Sequence, residues 1–168
     1  MILNVKRATD ETKNRETLMA EAIELSLRNI RKGMGGPFAA LVVRDGTILG
    51  RGTNLVASSN DPTAHAEIVA IREACKSLGT FQLSGCEVFT SCEPCPMCMG
   101  AIYWARPKAV YYANTRSDAA AIGFDDEFLY NELTISPQQR KIPMMQLLRT
   151  EALLVFKEWG EMENKVRY

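Results

Sequence analysis

Hydrophobic positions in the first third of the chain change from helical spacing to alternation. Between residues 17 and 30 the spacing predicts a helix. One face of this helix carries Met19, Ala22, Ile23, Ser26 and Ile30. The glycine-rich segment 33–37 ends it. Residues 38–43 and 47–54 then predict two strands, and the Asp45-Gly46 pair between them is typical of a hairpin turn.

The middle of the chain predicts a second helix followed by further strands. Pro62 and Thr63 indicate the start of a helix that runs to about Leu78, where Gly79 follows as a C-terminal glycine. We expect its inner face to consist of Ile68, Ile71, Ala74, Cys75 and Leu78. The next predicted elements are a buried strand at 87–91, a short helix from Pro94 and a strand at 109–113.

The last third predicts a helix at 127–133, a strand at 144–148 and a final helix at 151–164. Strands that alternate with helices indicate an α/β fold. We expect a three-layer α/β/α sandwich around a central mixed sheet of roughly five strands. The 168 residues form one domain, with an N-terminal extension at 1–14 and a C-terminal helix and tail at about 150–168.

Charge and composition narrow the class of function. Twenty Lys and Arg residues balance twenty Asp and Glu residues, so the formal net charge is zero. Proteins that bind nucleic acids usually carry a basic excess, so the balance favours a small substrate. The sequence shows no run of about 20 apolar residues that could span a membrane and no secretory signal. We therefore expect a cytoplasmic protein.

The distribution of cysteines indicates metal or redox chemistry. Cys92, Cys95 and Cys98 lie within seven residues, which does not suit a disulfide framework, whereas Cys75 and Cys86 stand apart. His65, the single histidine, begins the triplet His65-Ala66-Glu67, and the segment Pro94-Cys95-Pro96-Met97-Cys98 follows thirty residues later. These two spacings are the signature of zinc deaminases.

The residue types fit a catalytic zinc site. His65, Cys95 and Cys98 would supply three ligands and leave a fourth position for water, whereas structural sites are closed by four protein ligands. Glu67 would move protons between that water, a ring nitrogen and the leaving amine. Residues two apart lie about 200° apart around a helix, so His65 and Glu67 share a site only if the helix end points at the metal.

Each signal alone also fits a plainer role. A lone histidine or glutamate in a helix is usually a packing or surface residue, and a lone Cys-x-x-Cys pair serves redox or structural zinc chemistry as well. Cys92 forms an overlapping pair with Cys95, and we expect it to pack beneath the site. An iron–sulfur cluster is disfavoured, because Ile102 occupies the fourth position of that pattern.

The chain resembles the cytidine-deaminase-like superfamily, and within it the bacterial guanine deaminases, over about residues 17–168. The similar segments are 35–38, 60–67, 90–98, 101–107 and 123–126. The zinc motifs indicate only the superfamily, whereas segment 123–126 and the terminal tyrosine are similar to those of the guanine deaminases. One departure is Ala39, where relatives are expected to carry glycine, which bears on the width of the pocket.

This resemblance implies guanine deamination to xanthine and ammonia, one zinc ion per subunit, and a homodimer that can exchange its C-terminal segment between subunits. It implies that zinc is held by His65, Cys95 and Cys98 and that Glu67 transfers protons. The substrate-binding residues that it implies are Phe38, Asn54, Ala66, Asp126 and Tyr168. Phe38 would stack on the purine, Asn54 and Asp126 would hydrogen-bond it, and Tyr168 would close the pocket.

Several of these residues also suit simpler structural roles, and three further functions stay open. Phe38 also suits a core position, Asn54 a turn and Asp126 a helix cap, whereas a terminal tyrosine is usually frayed and Trp104 is expected to pack. Guanosine is an alternative substrate. Adenosine in transfer RNA is a second alternative, disfavoured by the neutral charge, and a non-catalytic zinc-stabilised module is a third.

Overall fold

The structure, a computed structural model, describes residues 2–124 and 126–167, with side chains from residue 11 onwards. The chain divides into two compact units, Met1–Asp126 and Glu127–Tyr168. The described elements of the first unit are α1 (Ile2–Arg31), β1 (Ala39–Arg44), β2 (Thr47–Thr53), α2 (Val56–Ser59), α3 (Ala66–Leu78), β3 (Glu87–Cys92), α4 (Pro96–Ala105), β4 (Ala109–Asn114) and α5 (Arg116–Ala121). Helix α1 includes most of the predicted N-terminal extension, and α2 and α5 were not predicted.

The sheet has the strand order β2-β1-β3-β4. Strand β1 runs antiparallel to β2 and to β3, whereas β3 and β4 are parallel. The predicted hairpin turn is confirmed, because Asp45 and Gly46 both have positive φ, as a tight two-residue turn requires. The α/β class with a mixed sheet between helices is confirmed, although the described residues form four strands rather than about five.

Side chains alternate between the two faces of the sheet and bury both of them. Leu41, Val43 and Phe89 pack against Leu18 and Ala22 of α1 on one face. The opposite face carries Ala40, Val42 and Val88, which pack against α3 through Ala66, Ala70 and Ala74. Because successive residues of a strand point to opposite sides, one short apolar run contributes to both cores. Helices therefore cover the sheet on both faces, as the three-layer prediction requires.

Helix α3 lies unusually close to β2 because two glycines face it. A Cβ atom at Gly50 would lie 2.3 Å from the carbonyl oxygen of Ala70, and one at Gly52 would lie 1.9 Å from that of Ala66. Only glycine permits this approach. The expected inner face of α3 is consequently wrong in part. Its buried residues are Ala66, Glu67, Ala70 and Ala74, while Ile71, Cys75 and Leu78 are only partly buried around them.

The predicted starts of two helices are wrong by a few residues. Helix α3 begins at Ala66 rather than at Pro62, because the Asp61 carboxylate accepts hydrogen bonds from the backbone N–H and the hydroxyl of Thr63 and holds a turn there. Helix α4 begins at Pro96 rather than at Pro94. Proline suits the first helical position, where a missing N–H leaves no bond unmade, and Pro96 holds that position.

The second unit contains α6 (Glu127–Thr134), a short 3-10 helix (Pro137–Gln139) and α7 (Arg149–Glu161). The strand predicted at 144–148 is wrong, because these residues have no regular structure in the described chain. A strand requires a neighbouring strand for its backbone hydrogen bonds, and the apolar pattern of 144–148 alone supplies none. No helix within the described residues has an apolar stretch long enough to cross a bilayer.

We expect Gly52→Ala to destabilise the fold by about 1–3 kcal/mol or more, because the new methyl group would overlap the backbone of α3. The free energy of unfolding, measured with urea, is the readout. Gly160→Ala is the matched control, since a Cβ there meets nothing within 4 Å and alanine favours a helix. An unchanged free energy for Gly52→Ala would contradict the close packing of α3 on β2.

Candidate metal centre and active-site cavity

The ends of two helices bring together the three predicted metal ligands. His65 is the N-cap residue of α3, Cys95 is the N-cap residue of α4, and Cys98 lies in the first turn of α4. Their ligand atoms all lie within 4.8 Å of one another, and Cys95 Sγ lies 3.6 Å from His65 Nδ1. His65 and Glu67 were expected to share a site only if the end of their helix points at the metal. This condition is met, because His65 immediately precedes α3 and the N-terminal end of α3 faces the ligand cluster.

The donor set and its spacing fit a tetrahedral zinc ion. Zinc bonds of about 2.0 Å to nitrogen and 2.3 Å to sulfur place neighbouring ligand atoms roughly 3.5–3.8 Å apart. The observed distance between Cys95 Sγ and His65 Nδ1 lies in this range. Within the described part of the chain, no fourth His, Cys, Asp or Glu belongs to the cluster. Three protein ligands are the arrangement of a catalytic site.

Hydrogen bonds among the ligands favour negative charge on Cys95. The pKa of the Cys95 thiol is lowered to about 4, chiefly by its hydrogen bond with Cys98 and also by His65, although burial opposes the shift. The same bond with Cys95, together with burial, raises the pKa of Cys98. The bond to Cys95 also raises the pKa of His65, against the effect of burial. The positive end of α4 adds to the stabilisation of a thiolate.

Glu67 lies in the first turn of α3 and is buried, with 6% of its surface exposed. Its Oε2 lies 3.5 Å from Cys98 Sγ, and its Oε1 lies 3.3 Å from the hydroxyl oxygen of Thr90. Burial is the main reason that the pKa of its carboxyl group is raised. A carboxyl group with a raised pKa holds its proton more readily, which suits a group that both accepts and returns protons.

A cavity of about 580 Å³ opens beside the metal ligands in the first unit. Four of the five predicted substrate-binding residues line it, namely Phe38, Asn54, Ala66 and Asp126. Tyr168, the fifth, lies outside the described residues. The volume falls within the range of small-molecule sites, and the walls combine apolar surface with a few polar groups, as such sites usually do.

Part of the cavity wall is aromatic. The rings of Phe38 and Phe124 meet edge to face, with centroids 4.9 Å apart and planes at 89°. A Cβ atom at Gly36 would lie 3.1 Å from both rings, so this glycine gives the pair its room. Phe38 borders the cavity and also packs against the buried core of the sheet, so both positions that the sequence allows are partly met.

Asn54 lies at the end of β2 and is fixed by its neighbours. Its side-chain oxygen accepts a hydrogen bond from the backbone N–H of Val56, and its backbone carbonyl accepts one from the side chain of Asn29. Asn29 also donates to the carbonyl of Gly36, so a residue of α1 supports two parts of the cavity rim. Asn54 combines the turn role and the cavity position that the sequence left as alternatives.

Cys92 is separate from the ligand cluster, which resolves the overlapping cysteine pairs. It ends β3, borders the cavity, and its sulfur lies 3.5 Å from the carbonyl oxygen of Thr115. Burial raises the pKa of its thiol to about 11. Its sulfur does not belong to the group of ligand atoms that His65, Cys95 and Cys98 form, so the geometry separates it from the metal site.

Sequence reasoning missed several residues that shape the site. They are Asn29, Thr90, Glu93, Arg116 and Phe124. Thr90, Glu93 and Phe124 lie inside the segments that carry the family resemblance, so that resemblance offered a signal. Asn29 and Arg116 act through contacts with distant parts of the chain, for which a single sequence offers no signal.

Comparison with known proteins agrees with this fold and site. The family model of the cytidine and deoxycytidylate deaminase zinc-binding region matches residues 12–114. The chain therefore belongs to the cytidine and deoxycytidylate deaminase zinc-binding family, and His65, Cys95 and Cys98 form its zinc site.

Individual relatives narrow the comparison. Guanine deaminase of Bacillus subtilis is 53% identical over 155 residues, which cover 92% of this chain and 99% of the relative. The crystal structure of guanine deaminase from Bacillus subtilis superimposes with a TM-score of 0.89 at 53% identity, over 91% of this chain and 98% of that one. A second solved structure, of a mutant protein in complex with 8-azaguanine, has 33% identity and a TM-score of 0.65 over 86% of this chain and 82% of that one.

We expect the purified protein to contain about one zinc ion per chain, and His65→Ala to lose most of it, because the substitution removes one of three ligands. Elemental analysis after dialysis measures the metal content. Cys92→Ser is the matched control, since it alters a neighbouring thiol outside the cluster and should keep the metal. Loss of zinc from Cys92→Ser but not from His65→Ala would refute this ligand set.

Proposed function

We propose that this chain hydrolyses guanine to xanthine and ammonia. The observation that carries the proposal is the position of Glu67, a buried carboxyl group held 3.5 Å from a zinc-ligand sulfur at the floor of the cavity. The near full-length similarity to guanine deaminase of Bacillus subtilis supports guanine as the substrate, as does the 8-azaguanine bound by a structural relative.

The reaction needs a proton carrier more than a nucleophilic side chain. The oxygen of water bonds to the ring carbon that bears the exocyclic amine, and the carbon–nitrogen bond to that amine breaks. The amine leaves as ammonia, with protons that Glu67 takes from the water and delivers to the ring nitrogen and to the amine. Zinc, when bound, supplies Lewis acidity that makes water a better nucleophile at neutral pH.

The remaining cavity residues bind and orient the purine. Phe38 stacks on the face of the purine, and the edge-to-face contact with Phe124 fixes the orientation of the Phe38 ring. Asn54 and Asp126 hydrogen-bond the polar edges of the ring. Ala66, the first residue of α3, presents a backbone N–H from a turn whose first N–H groups have no partner within the helix. Tyr168 closes the cavity, a role that rests on the family resemblance.

Other substrates remain as outcomes of the test. Guanosine is one alternative substrate, and transfer RNA is another, which would need a basic surface that the neutral net charge does not favour. The cytoplasmic location also stays a prediction, supported by the five cysteines, none of which forms a disulfide.

We expect ammonia release from guanine to exceed that from guanosine or from an adenosine-containing tRNA stem-loop, when each is added to the zinc-loaded protein. Glu67→Gln should lower kcat for guanine by about 10²–10⁴-fold, because the amide keeps the shape of the side chain but cannot carry the proton. Zinc content should stay unchanged, since Glu67 is not a ligand.

Glu73→Gln serves as the control, because Glu73 lies on the same helix but bonds to the exposed backbone N–H of Arg51. It should keep full activity. Faster turnover of guanosine than of guanine would show that guanosine is the substrate. If the protein turned over none of the three compounds, the non-catalytic zinc-stabilised module would be the remaining hypothesis. Full activity of Glu67→Gln would contradict the proposal that Glu67 transfers protons.

The functional unit is a homodimer in which the C-terminal segment at about 150–168 of one copy lies on its partner. Each unit presents large apolar side chains to solvent. The first exposes 75% of Tyr103 and 64% of Trp104, which was expected to pack, and the second exposes 83% of Leu147 and 74% of Phe156. Strand β4 is also an edge strand. Exposed apolar patches and free sheet edges usually mark interfaces.

We expect a solution mass of twice the 18.7 kDa chain, measured by light scattering. Co-expression of Glu67→Gln chains with Tyr168→Ala chains should then restore part of the activity that each variant lacks. In an exchanged dimer, the intact cavity of one chain receives the intact tail of the other. Activity equal only to the sum of the separate variants would show that each tail stays with its own chain.

A further inference from the structure

We propose that Glu93 is a positioning residue that holds the wall of the cavity carrying Phe124 and Asp126 against the zinc-binding loop, and so sets the affinity for the purine. This inference rests on the proposed function for its substrate. Glu93 lies between β3 and α4, two residues before the ligand Cys95, and it borders the cavity. It is not a zinc ligand.

Glu93 makes two hydrogen bonds to the end of β4 and the segment that follows it. Its backbone N–H donates to the carbonyl of Asn114 at 2.8 Å, and its Oε2 accepts the backbone N–H of Arg116 at 3.1 Å. The sulfur of Cys92 lies 3.5 Å from the carbonyl oxygen of Thr115 between them. Cys92 and Glu93 therefore contact three consecutive residues at the end of β4 and beyond it, 114–116.

These bonds lie where β3 and β4 end side by side. The two strands are parallel, and Cys92 pairs with Asn114 at the end of the ladder. Beyond this point the sheet no longer holds the two segments together. The side chain of Glu93 extends the link by two residues along the second segment, into the first turn of α5.

The carboxylate fits the start of α5. The side chains of Thr115 and Asp118 form a capping box that serves the backbone N–H groups of Thr115 and Asp118. The N–H of Arg116, the first helical residue, goes to Glu93 instead. The Glu93 side chain therefore joins the loop before α4 to the first residue of α5.

Helix α5 leads directly to the cavity wall. It ends at Ala121, the chain turns at Gly123 with a φ of +90°, and Phe124 then contacts Phe38 while Asp126 borders the cavity. A shift at Arg116 is carried along this short path to both side chains. A displacement of about 1 Å in a group that positions the substrate can lower the reaction rate by about 100-fold.

We expect Glu93→Ala to raise KM for guanine about tenfold, with a smaller effect on kcat, because the loss falls on binding groups rather than on Glu67. The dissociation constant of 8-azaguanine should rise by a similar factor, and zinc content should not change. Glu93→Gln should restore most of the affinity, since its amide oxygen still accepts the N–H of Arg116. A merely structural role would lower the unfolding midpoint and leave KM unchanged.

A double-mutant cycle tests whether Glu93 acts through the wall. In an Asp126→Ala background, Glu93→Ala should raise KM much less than it does in the wild-type protein, because the group that it positions is already absent. Additive effects of the two substitutions on KM would overturn the proposal. Glu73→Ala is the matched control, since it removes another carboxylate bond to a backbone N–H, away from the cavity, and should leave KM unchanged.

Hydrogen exchange separates this proposal from the proposed function. In the ligand-free zinc protein, Glu93→Ala should accelerate amide exchange at Arg116 and through segment 115–124, which is read by mass spectrometry without any substrate. If the wild-type protein does not release ammonia from guanine, the proposed substrate falls while this measurement still tests the link. Unchanged exchange and unchanged KM in Glu93→Ala would refute the role of Glu93.

Discussion

The close approach of α3 to β2 is the constraint on which the site depends. Gly50 and Gly52 leave no side chain between the strand and the backbone of the helix, so α3 lies deeper than larger residues would allow. Its first residues then reach the end of β3, where the cysteine loop starts. This depth buries Glu67 beside Cys98 and brings His65 within 3.6 Å of Cys95. Small residues on the facing side of α3 complete the contact, which explains why its larger apolar residues lie at the edges.

This geometry concentrates groups that are costly to charge together. Two thiols and a carboxyl group lie in one partly enclosed centre, where burial disfavours their charged forms. Hydrogen bonding places the available negative charge on Cys95, while Cys98 and Glu67 have raised pKa values. A divalent cation removes the conflict, because it stabilises both thiolates and displaces their protons. The same burial that raises the cost of charging Glu67 makes it a group that can return a proton.

Prediction from sequence succeeds where the chemistry is local. The ligand triad follows from two short motifs, and the Asp45-Gly46 turn follows from backbone geometry that few residues allow. It fails where distant contacts decide. Both helix starts were predicted too early from a proline. Asp61 holds a turn after which α3 begins, and Pro96 rather than Pro94 takes the first position of α4. The strand at 144–148 has no partner among the described residues, and periodicity does not report partners.

The family region contains the zinc centre but only part of the cavity wall. The family region ends at residue 114, the last residue of β4, and it contains the zinc ligands and Glu67. Phe124 and Asp126 lie beyond it, although they border the same cavity. The family region therefore holds the zinc ligands together with Phe38, Asn54 and Ala66 of the cavity, whereas the segment after β4 completes the cavity wall. Such a wall is useful only if it keeps a defined distance from the reacting centre. The bond from the backbone N–H of Arg116 to the carboxylate of Glu93 crosses this boundary, so it connects the zinc-binding region with the segment that completes the cavity wall.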